Sequence, residues 1–229
     1  MAFLKAVLLG SVKEYGDKNA INPLKKVWKS AFFKVAQSGE TFANELGFCG
    51  DSVADTKHHG GAEKAVFANS YENYTSWESY LGLSNLPFGA MGENLTISGL
   101  DENNVCIGDV HQVGSLVLQV SQPRKPCFKI SIRWGNKDFA RHIFATGLTG
   151  WYYRVLESGS CKAGDEIKLI SQDSIQMSVM SVNKLFFDPK NHQNLLDKFF
   201  KLTTIANGWQ NDIQKRIDGV YDASYMVEL

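Results

Sequence analysis

The chain has 229 residues, and its 24 basic and 24 acidic side chains give a formal net charge of zero. A neutral chain is not drawn to nucleic acid or to anionic membranes by bulk charge, although a local basic pocket is compatible with this balance. Hydrophobic residues make up 44% of the chain, an ordinary share for a globular protein, and no stretch approaches the ~18 apolar residues of a membrane span. We therefore expect neither a nucleic-acid partner nor a membrane partner.

The cysteine pattern points to a reducing compartment. Cys49, Cys106, Cys127 and Cys161 lie far apart and form no Cys-x-x-Cys pair. Such spacing favours free thiols over a disulfide framework. The apolar run near the N-terminus is about five residues long, which is shorter than the h-region of a secretory signal. We therefore expect a cytoplasmic protein.

Short apolar segments separated by glycines run through the first three quarters of the chain. The predicted strands cover residues 3–11, 94–97, 110–113, 115–121, 150–156 and 166–170, with further strands within 25–35. Helical spacing predicts helices at 70–81 and 139–146, and residues 158–165 are predicted as a turn. Many short strands with glycine between them indicate a closed barrel or a sandwich.

The pattern changes after about residue 171. Apolar spacing there predicts three short helices, which cover residues 179–187, 193–201 and 205–217. The predicted fold is therefore mainly β with some α (α+β). A β-barrel domain with a few helices covers residues 1–172, and a small three-helix domain covers residues 173–229. The aromatic residues of this tail are typical of a core or of a docking surface.

Residues 122–129, QPRKPCFK, directly follow a predicted strand and place Cys127 close to Arg124 and Lys125. Nearby cations favour the thiolate form of cysteine, which is the better nucleophile and metal ligand. The prolines hold the backbone extended and end the strand. The alternative is a small buried cysteine in a turn, because free cysteines are often buried.

Residues 58–64, HHGGAEK, combine two imidazoles, two glycines and a lysine. Adjacent histidines on an extended segment point in opposite directions, so His58 and His59 do not form the chelating pair of an HExxH helix. Glycine amides, Lys64 and a downstream helix N-terminus suit a phosphate instead. A glycine turn with a solvated lysine is the alternative. Asp51 either orients an imidazole N–H or forms a turn beside glycine.

Other candidate contacts are spread over the chain. Lys29 and Lys34 flank an apolar stretch and are candidates for phosphate contact, with surface lysines as the alternative. Asn94 would supply an amide to a pterin-like ring or would cap a strand, and Arg154 is expected at the surface or in an ion pair. The sequence contains no Walker loop, no Rossmann fingerprint and no Gly-x-Ser-x-Gly elbow, so we do not expect a flavin or nicotinamide domain.

Taken together and in this order, these segments resemble the MOSC domain, the module named after the C-terminal part of molybdenum cofactor sulfurase. Within that family the likeness is strongest to the bacterial 6-N-hydroxylaminopurine resistance proteins, in which a three-helix domain follows the MOSC domain. The motifs that carry the resemblance are GDSVADTKHHGGAEK (50–64), GAMGENL (89–95), CIGD (106–109), VSQPRKPCFK (120–129), TGWYYRVL (149–156) and AGDEI (163–167).

The resemblance implies a MOSC-type β-barrel that binds molybdenum cofactor, with Cys127 as the thiolate ligand of the metal. A thiolate suits molybdenum, which accepts sulfur ligands. The phosphate and pterin of the cofactor would meet basic, glycine and amide positions: Lys29, Lys34, His59, Gly60, Gly61, Lys64, Asn94, Arg124 and Lys125. His58, His59 and Asp51 are then candidates for proton handling, since histidine titrates near neutral pH.

The implied function is the reduction of N-hydroxylated compounds, including hydroxylaminopurine-type bases, to amines, as a detoxification. The cofactor would carry the redox chemistry and an external donor, a flavoprotein, would supply electrons. One alternative is a carrier of the cofactor or of sulfur that uses the same Cys127. Another is a non-catalytic interaction module that docks through the helical tail. The chain is compatible with a homodimer.

Overall fold

A computed structural model of the chain describes residues 1–227, except the side chains of residues 57, 58 and 227. The strands in chain order are β1 (Ala2–Leu9), β2 (Lys13–Tyr15), β3 (Trp28–Ser30), β4 (Val35–Ala36), β5 (Thr41–Asn44), β6 (Gly47–Phe48), β7 (Val66–Ser70), β8 (Leu95–Ser98), β9 (Val110–Val113), β10 (Leu116–Pro123), β11 (Trp151–Glu157), β12 (Gly159–Cys161) and β13 (Glu166–Ser171). The α-helices are α1 (Thr56–His59), α2 (Tyr74–Leu81), α3 (Lys129–Trp134), α4 (Phe139–Thr146), α5 (Val179–Phe187), α6 (Leu196–Phe200), α7 (Trp209–Ile217) and α8 (Ser224–Val227). Among the described residues, none of these helices combines the length and the hydropathy that crossing a membrane requires.

Seven of these strands close into a barrel. Their order is β13-β9-β10-β11-β7-β8-β1, and β1 pairs again with β13. The pairs are antiparallel except for β7 and β8, which run parallel. Closure gives each of the seven strands a partner on both sides and so removes the free edges of the sheet. The mainly β barrel predicted from the sequence is confirmed.

The burial pattern of β1 shows how the barrel wall is built. Leu4 and Ala6 are buried while Phe3 and Lys5 between them are exposed, as expected for a strand with one face towards the core. From Ala6 onwards the alternation stops, because Val7 on the opposite face is also buried. The register of β1 against β8 shifts just before this point, between Leu4 and Ala6. A segment packed on both faces therefore follows a bulge.

The helices of the tail pack on the barrel. Leu118 on β10, Phe186 on α5 and Trp209 on α7 belong to the same buried hydrophobic cluster. The indole N–H of Trp209 also donates to Gln122 Oε1 at 2.8 Å. The helices thus share their core with the barrel, and the division into domains at residue 172 stays a prediction.

Several predicted elements have different boundaries in the structure. The helix predicted at 70–81 begins only at Tyr74, because Ser70 ends strand β7 and its hydroxyl accepts from Glu72 N in a 3-10 turn. The helix predicted at 205–217 begins at Trp209, since Gly208 has φ +91° and cannot belong to a right-handed helix.

One region was predicted wrongly, and one helix was not predicted. The turn predicted at 158–165 contains strand β12, which pairs with β5. Helix α3 directly follows the segment with Cys127 and was not predicted, because its sequence KISIRW alternates polar and apolar residues as a strand does. In a segment of only six residues, the alternation typical of a strand and the pattern of a short helix are difficult to tell apart, and tertiary contacts decide between them.

Gly150, in the loop before β11, has a conformation and surroundings that only glycine fits. Its φ is +71°, and an added Cβ would lie 2.9 Å from Phe67 Cε2 and closer still to the carbonyl oxygen of Ala68. We expect Gly150→Ala to lower the free energy of unfolding by about 2–5 kcal/mol, the sum of left-handed strain and overpacking. Urea denaturation would measure this loss.

Gly164→Ala is the matched control. Gly164 has φ +91° but no heavy atom within 4 Å of an added Cβ, so that only the backbone strain of about 1–2 kcal/mol applies. Equal losses in the two variants would contradict the account of close packing at Gly150.

Candidate functional site

A cleft of about 320 Å³, called the first cleft, lies where several of the sequence motifs meet. The predicted site residues that line it are Lys34, Asp51, His59, Gly60, Gly61, Lys64, Asn94, Arg124 and Cys127. These residues come from segments up to about 90 positions apart in the chain. The fold therefore places most of the predicted positions around one cavity.

Cys127 lies between the end of β10 and the start of α3. Its carbonyl accepts from Ile130 N at 3.1 Å, in the first turn of the helix. The register of β10 against β11 shifts between Val120 and Gln122, so a bulge precedes the two prolines of this segment. Cys127 is 6% exposed and lines the first cleft. It is thus a mostly buried cysteine that also borders a cavity.

The glycine loop, residues 59–64, is fixed to the barrel through Glu63. The carbonyl of Glu63 accepts from Ser121 Oγ at 2.6 Å and from Gln122 Nε2 at 2.9 Å. Its carboxylate pairs with Arg154 on β11, with Arg154 Nη2 at 2.5 Å and Nε at 3.0 Å. Arg154 is therefore an ion-paired arginine. These contacts hold the loop beside the segment that carries Cys127.

Arg124 supplies a buried positive charge to the first cleft. The residue is 4% exposed, and its guanidinium lies 4.9 Å from the centroid of the Phe67 ring. Its Nε has no hydrogen-bond partner among the described residues. Burying a charged group without full hydrogen bonding is costly, so an anion in the cleft would stabilise this arrangement.

His59 lies beside Tyr152 at the border of the cleft. Its Nδ1 is 3.3 Å from Tyr152 Oη. Burial lowers the pKa of His59 to about 3, and the nearby positive charge of Arg124 acts in the same direction. The imidazole is therefore neutral at physiological pH. The side chain of His58 lies outside the described residues, so its predicted role is not addressed.

Asp51, Lys34 and Asn94 form a second polar group in the cleft. Lys34 Nζ lies 2.5 Å from Asp51 Oδ1, and Asn94 Nδ2 donates to Asp51 Oδ2 at 2.8 Å. The amide of Gly10 also donates to Asp51, at 2.7 Å. Burial lowers the pKa of Lys34, and the Asp51 carboxylate opposes this shift. Asp51 thus balances a buried lysine, and its proton-handling role stays a prediction.

Two predicted cofactor contacts lie away from the lining of the first cleft. The Lys29 side chain is 69% exposed and faces Glu14 at 3.9 Å, as expected for a surface lysine. Lys125 Nζ lies 2.5 Å from Asp212 Oδ2 on α7 and 4.5 Å from the centroid of the Trp209 ring. Lys125 therefore faces the tail, while Arg124 beside it faces the first cleft.

Tyr152 is a cleft residue that the sequence reasoning missed. It is 6% exposed, lines the first cleft and contacts His59. Burial raises the pKa of Tyr152, and the Arg124 charge opposes the shift. The sequence did contain a signal for Tyr152. Side chains alternate with a period of two along β11, so Tyr152 lies on the same face of the strand as Arg154. Lys129, on the first turn of α3, also lines the cleft.

Comparison with known proteins identifies the family of the chain. The MOSC domain model matches residues 55–168. The uncharacterized protein YflK of Bacillus subtilis is 38% identical over 173 residues, which cover 75% of this chain and 77% of YflK. The protein YiiM of Escherichia coli is 33% identical over 192 residues, which cover 82% of this chain and 84% of YiiM. The chain belongs to the MOSC-domain family, and the resemblance seen in the motifs is confirmed.

Solved structures agree with this assignment. YiiM of Geobacillus stearothermophilus superposes with a TM-score of 0.77 at 24% identity, over 95% of this chain and 100% of the YiiM chain. This likeness shows that the two proteins share a fold. YiiM of Escherichia coli superposes with a TM-score of 0.71 at 26% identity, over 94% and 96% of the two chains. A protein of Gibberella moniliformis named "Reductase" is 35% identical over 163 residues, which cover 68% of this chain but 28% of that protein.

The pKa of His59 gives a testable prediction. The imidazole nitrogens should keep the chemical shifts of a neutral ring between about pH 8 and pH 5, since burial disfavours the charged form. Nitrogen-15 NMR of histidine-labelled protein, with His59→Gln for assignment, measures this directly. A titration midpoint near the ordinary value of about 6.5 would contradict the geometry.

The pair formed by Asp51 and Lys34 should be important for stability. Their side chains are 11% and 7% exposed, so Asp51→Ala leaves a buried lysine without its carboxylate. We expect this change to lower the free energy of unfolding by about 3–5 kcal/mol. Glu14→Ala, which removes the partner of the exposed Lys29, should change it by less than about 1 kcal/mol. Comparable losses in urea denaturation would contradict the account.

Proposed function

We propose that the first cleft binds molybdenum cofactor, with Cys127 as the thiolate ligand of the metal, and that the protein reduces N-hydroxylated compounds to amines. The observation that carries this proposal is the buried guanidinium of Arg124. Its Nε has no hydrogen-bond partner among the described residues, and Arg124 lines the same cavity as Cys127. A site with a buried cation whose hydrogen bonding is incomplete, next to a cysteine, suits a ligand that is both anionic and metal-bearing.

The donor set of the first cleft fits this cofactor. Arg124, Lys64 and the backbone of Gly60 and Gly61 would hold its phosphate, since cations and glycine amides are the usual partners of that group. Asn94 would lie along the pterin, with its amide already oriented by Asp51 and by the Leu8 carbonyl. The predicted contacts at Lys29 and Lys125 are not part of this proposal, because neither residue lines the first cleft.

The reaction would consume two electrons and two protons for each N–OH group, releasing the amine and one water. The bound cofactor would supply the two-electron chemistry, and an external donor, a flavoprotein, would supply the electrons. The likeness to a protein named "Reductase" supports an oxidoreductase role at this coarse level.

His59 and Tyr152 would orient the N–OH group. The raised pKa of Tyr152 keeps its hydroxyl protonated at neutral pH, so this hydroxyl can donate a hydrogen bond. The lowered pKa of His59 leaves a ring nitrogen able to accept one. A neutral imidazole also avoids repulsion from Arg124. We therefore assign the pair to positioning the substrate rather than to storing a proton.

Burial of Cys127 argues for the enzyme over the carrier. A cysteine that passes sulfur or cofactor to another protein must meet that protein, and Cys127 is only 6% exposed. In contrast, a metal ligand inside a cleft benefits from exclusion of water. The carrier is kept as an outcome of the experiment below.

Cys127→Ser tests the proposed function. The variant protein, isolated from a molybdate-replete host, should contain no bound molybdenum. Its rate of 6-N-hydroxylaminopurine reduction should fall by more than about 100-fold, because residues that only hydrogen-bond a metal ligand typically cost about 10–100-fold. Elemental analysis, pterin fluorescence and turnover with a reduced flavoprotein or dye would measure this.

Cys49→Ser is the matched control, because Cys49 is a free and exposed cysteine. It should keep the wild-type metal content and activity. Full activity of Cys127→Ser would overturn the enzyme proposal. A persulfide on Cys127, without retained molybdenum and without turnover, would favour the carrier.

A further inference from the structure

A second cleft, of about 390 Å³, lies between the glycine loop and the C-terminal helices. The residues that line both this cleft and the first are His59, Gly60, Gly61, Lys64 and Tyr152. The same loop thus forms a wall of each cavity. A molecule in either cleft would therefore lie next to His59 and Tyr152. Its volume lies within the about 300–1,000 Å³ of small-molecule sites.

Aromatic rings and a proline give the second cleft its character. Tyr221, Tyr225, Trp209 and Pro123 line it, and the two tyrosine hydroxyls are 3.0 Å apart. Trp209 is held in place by its hydrogen bond to Gln122. Flat apolar walls of this kind suit stacking of a planar ring. The cations Lys64 and Lys125 also line the second cleft, whereas Lys34, Lys64, Arg124 and Lys129 line the first.

A few polar groups accompany the aromatic walls. Asp212, whose side chain is 28% exposed, provides a carboxylate, and the exposed Asn207 provides an amide that lines the same cleft. Carboxylates accept from exocyclic amino groups of bases, and amides bond both the ring nitrogen and the amino group of adenine. Lys125 pairs with Asp212, so this carboxylate adds little net negative charge to the cleft. The chemistry therefore matches a nitrogen heterocycle better than an anion.

We propose that the second cleft binds the heteroaromatic base of the N-hydroxylated substrate. The base stacks on the tyrosine walls, its polar edge meets Asp212 and Asn207, and its N–OH group reaches the shared residues His59 and Tyr152. Substrate and cofactor then approach the glycine loop from different cavities. This inference rests on the proposed function for the identity of the reacting group, but base binding itself is independent of the cofactor.

The binding test uses 2-aminopurine, a fluorescent purine whose emission is quenched when it stacks on aromatic side chains. The wild-type protein and Cys127→Ser should both quench it saturably, since Cys127 does not line the second cleft. Tyr225→Leu should raise the Kd by about tenfold, because one stacking partner is lost. Ala62→Leu should weaken binding by a similar factor, because Ala62 lines this cleft and the larger side chain would occupy part of it. Ala62 is exposed, so the substitution leaves the core intact.

Tyr80→Leu is the matched control, because Tyr80 is 38% exposed and lines neither cleft. It should bind 2-aminopurine as the wild type does. The inference is overturned if the wild type does not quench the probe, or if both Tyr225→Leu and Ala62→Leu bind it as tightly as Tyr80→Leu does.

Kinetics separate this inference from the proposed function. In the cofactor-loaded protein, Ala62→Leu should raise the KM for 6-N-hydroxylaminopurine by about tenfold and leave kcat within about twofold. An unchanged KM would overturn the substrate cleft while leaving the reductase proposal in place. Saturable purine binding without any turnover by the wild type would overturn the reductase proposal and leave the base-binding cleft in place.

Discussion

The attachment of Glu63 to the barrel is the contact on which both clefts depend. Its carbonyl is held by Ser121 and Gln122 of β10, and its carboxylate is held by Arg154 of β11. One residue thereby fixes the glycine loop against the strand that leads to Cys127. Because the loop forms a wall of each cavity, their shapes are set by the same few hydrogen bonds. The closed barrel supplies the rigid support that such a site requires.

The two clefts differ in their electrostatics although they share a wall. Arg124 and Lys125 are neighbours in sequence, yet the guanidinium faces the first cleft and the ammonium is bound by Asp212 of the tail. The first cleft therefore keeps a buried positive charge, while the second keeps aromatic surface with a partly neutralised carboxylate. Neutral His59 and protonated Tyr152 lie between them. Under the proposed function, the first cleft would hold the anionic cofactor and the second the planar substrate.

The barrel and the helices α4 and α5 could be predicted because their apolar residues recur with a clear period. The sequence motifs contained most of the predicted site residues that line the first cleft. The direction of an individual side chain could not be predicted, since it depends on residues distant in the sequence. Lys125 is held by Asp212, 87 positions away, and Tyr152 gains its place from contact with His59, 93 positions away. Lys29 resembled Lys34 in the sequence, but only Lys34 has a buried carboxylate to balance it.

The central claim is that the first cleft holds an anionic metal cofactor bonded to Cys127. Its most direct test is a crystal structure of the protein isolated from a molybdate-replete host, with anomalous data collected at the molybdenum edge. The account predicts an anomalous peak within bonding distance of Cys127 Sγ and a phosphate in contact with the guanidinium of Arg124. A molybdenum peak away from Cys127, or a cofactor phosphate bound elsewhere with the first cleft filled by water, would contradict it.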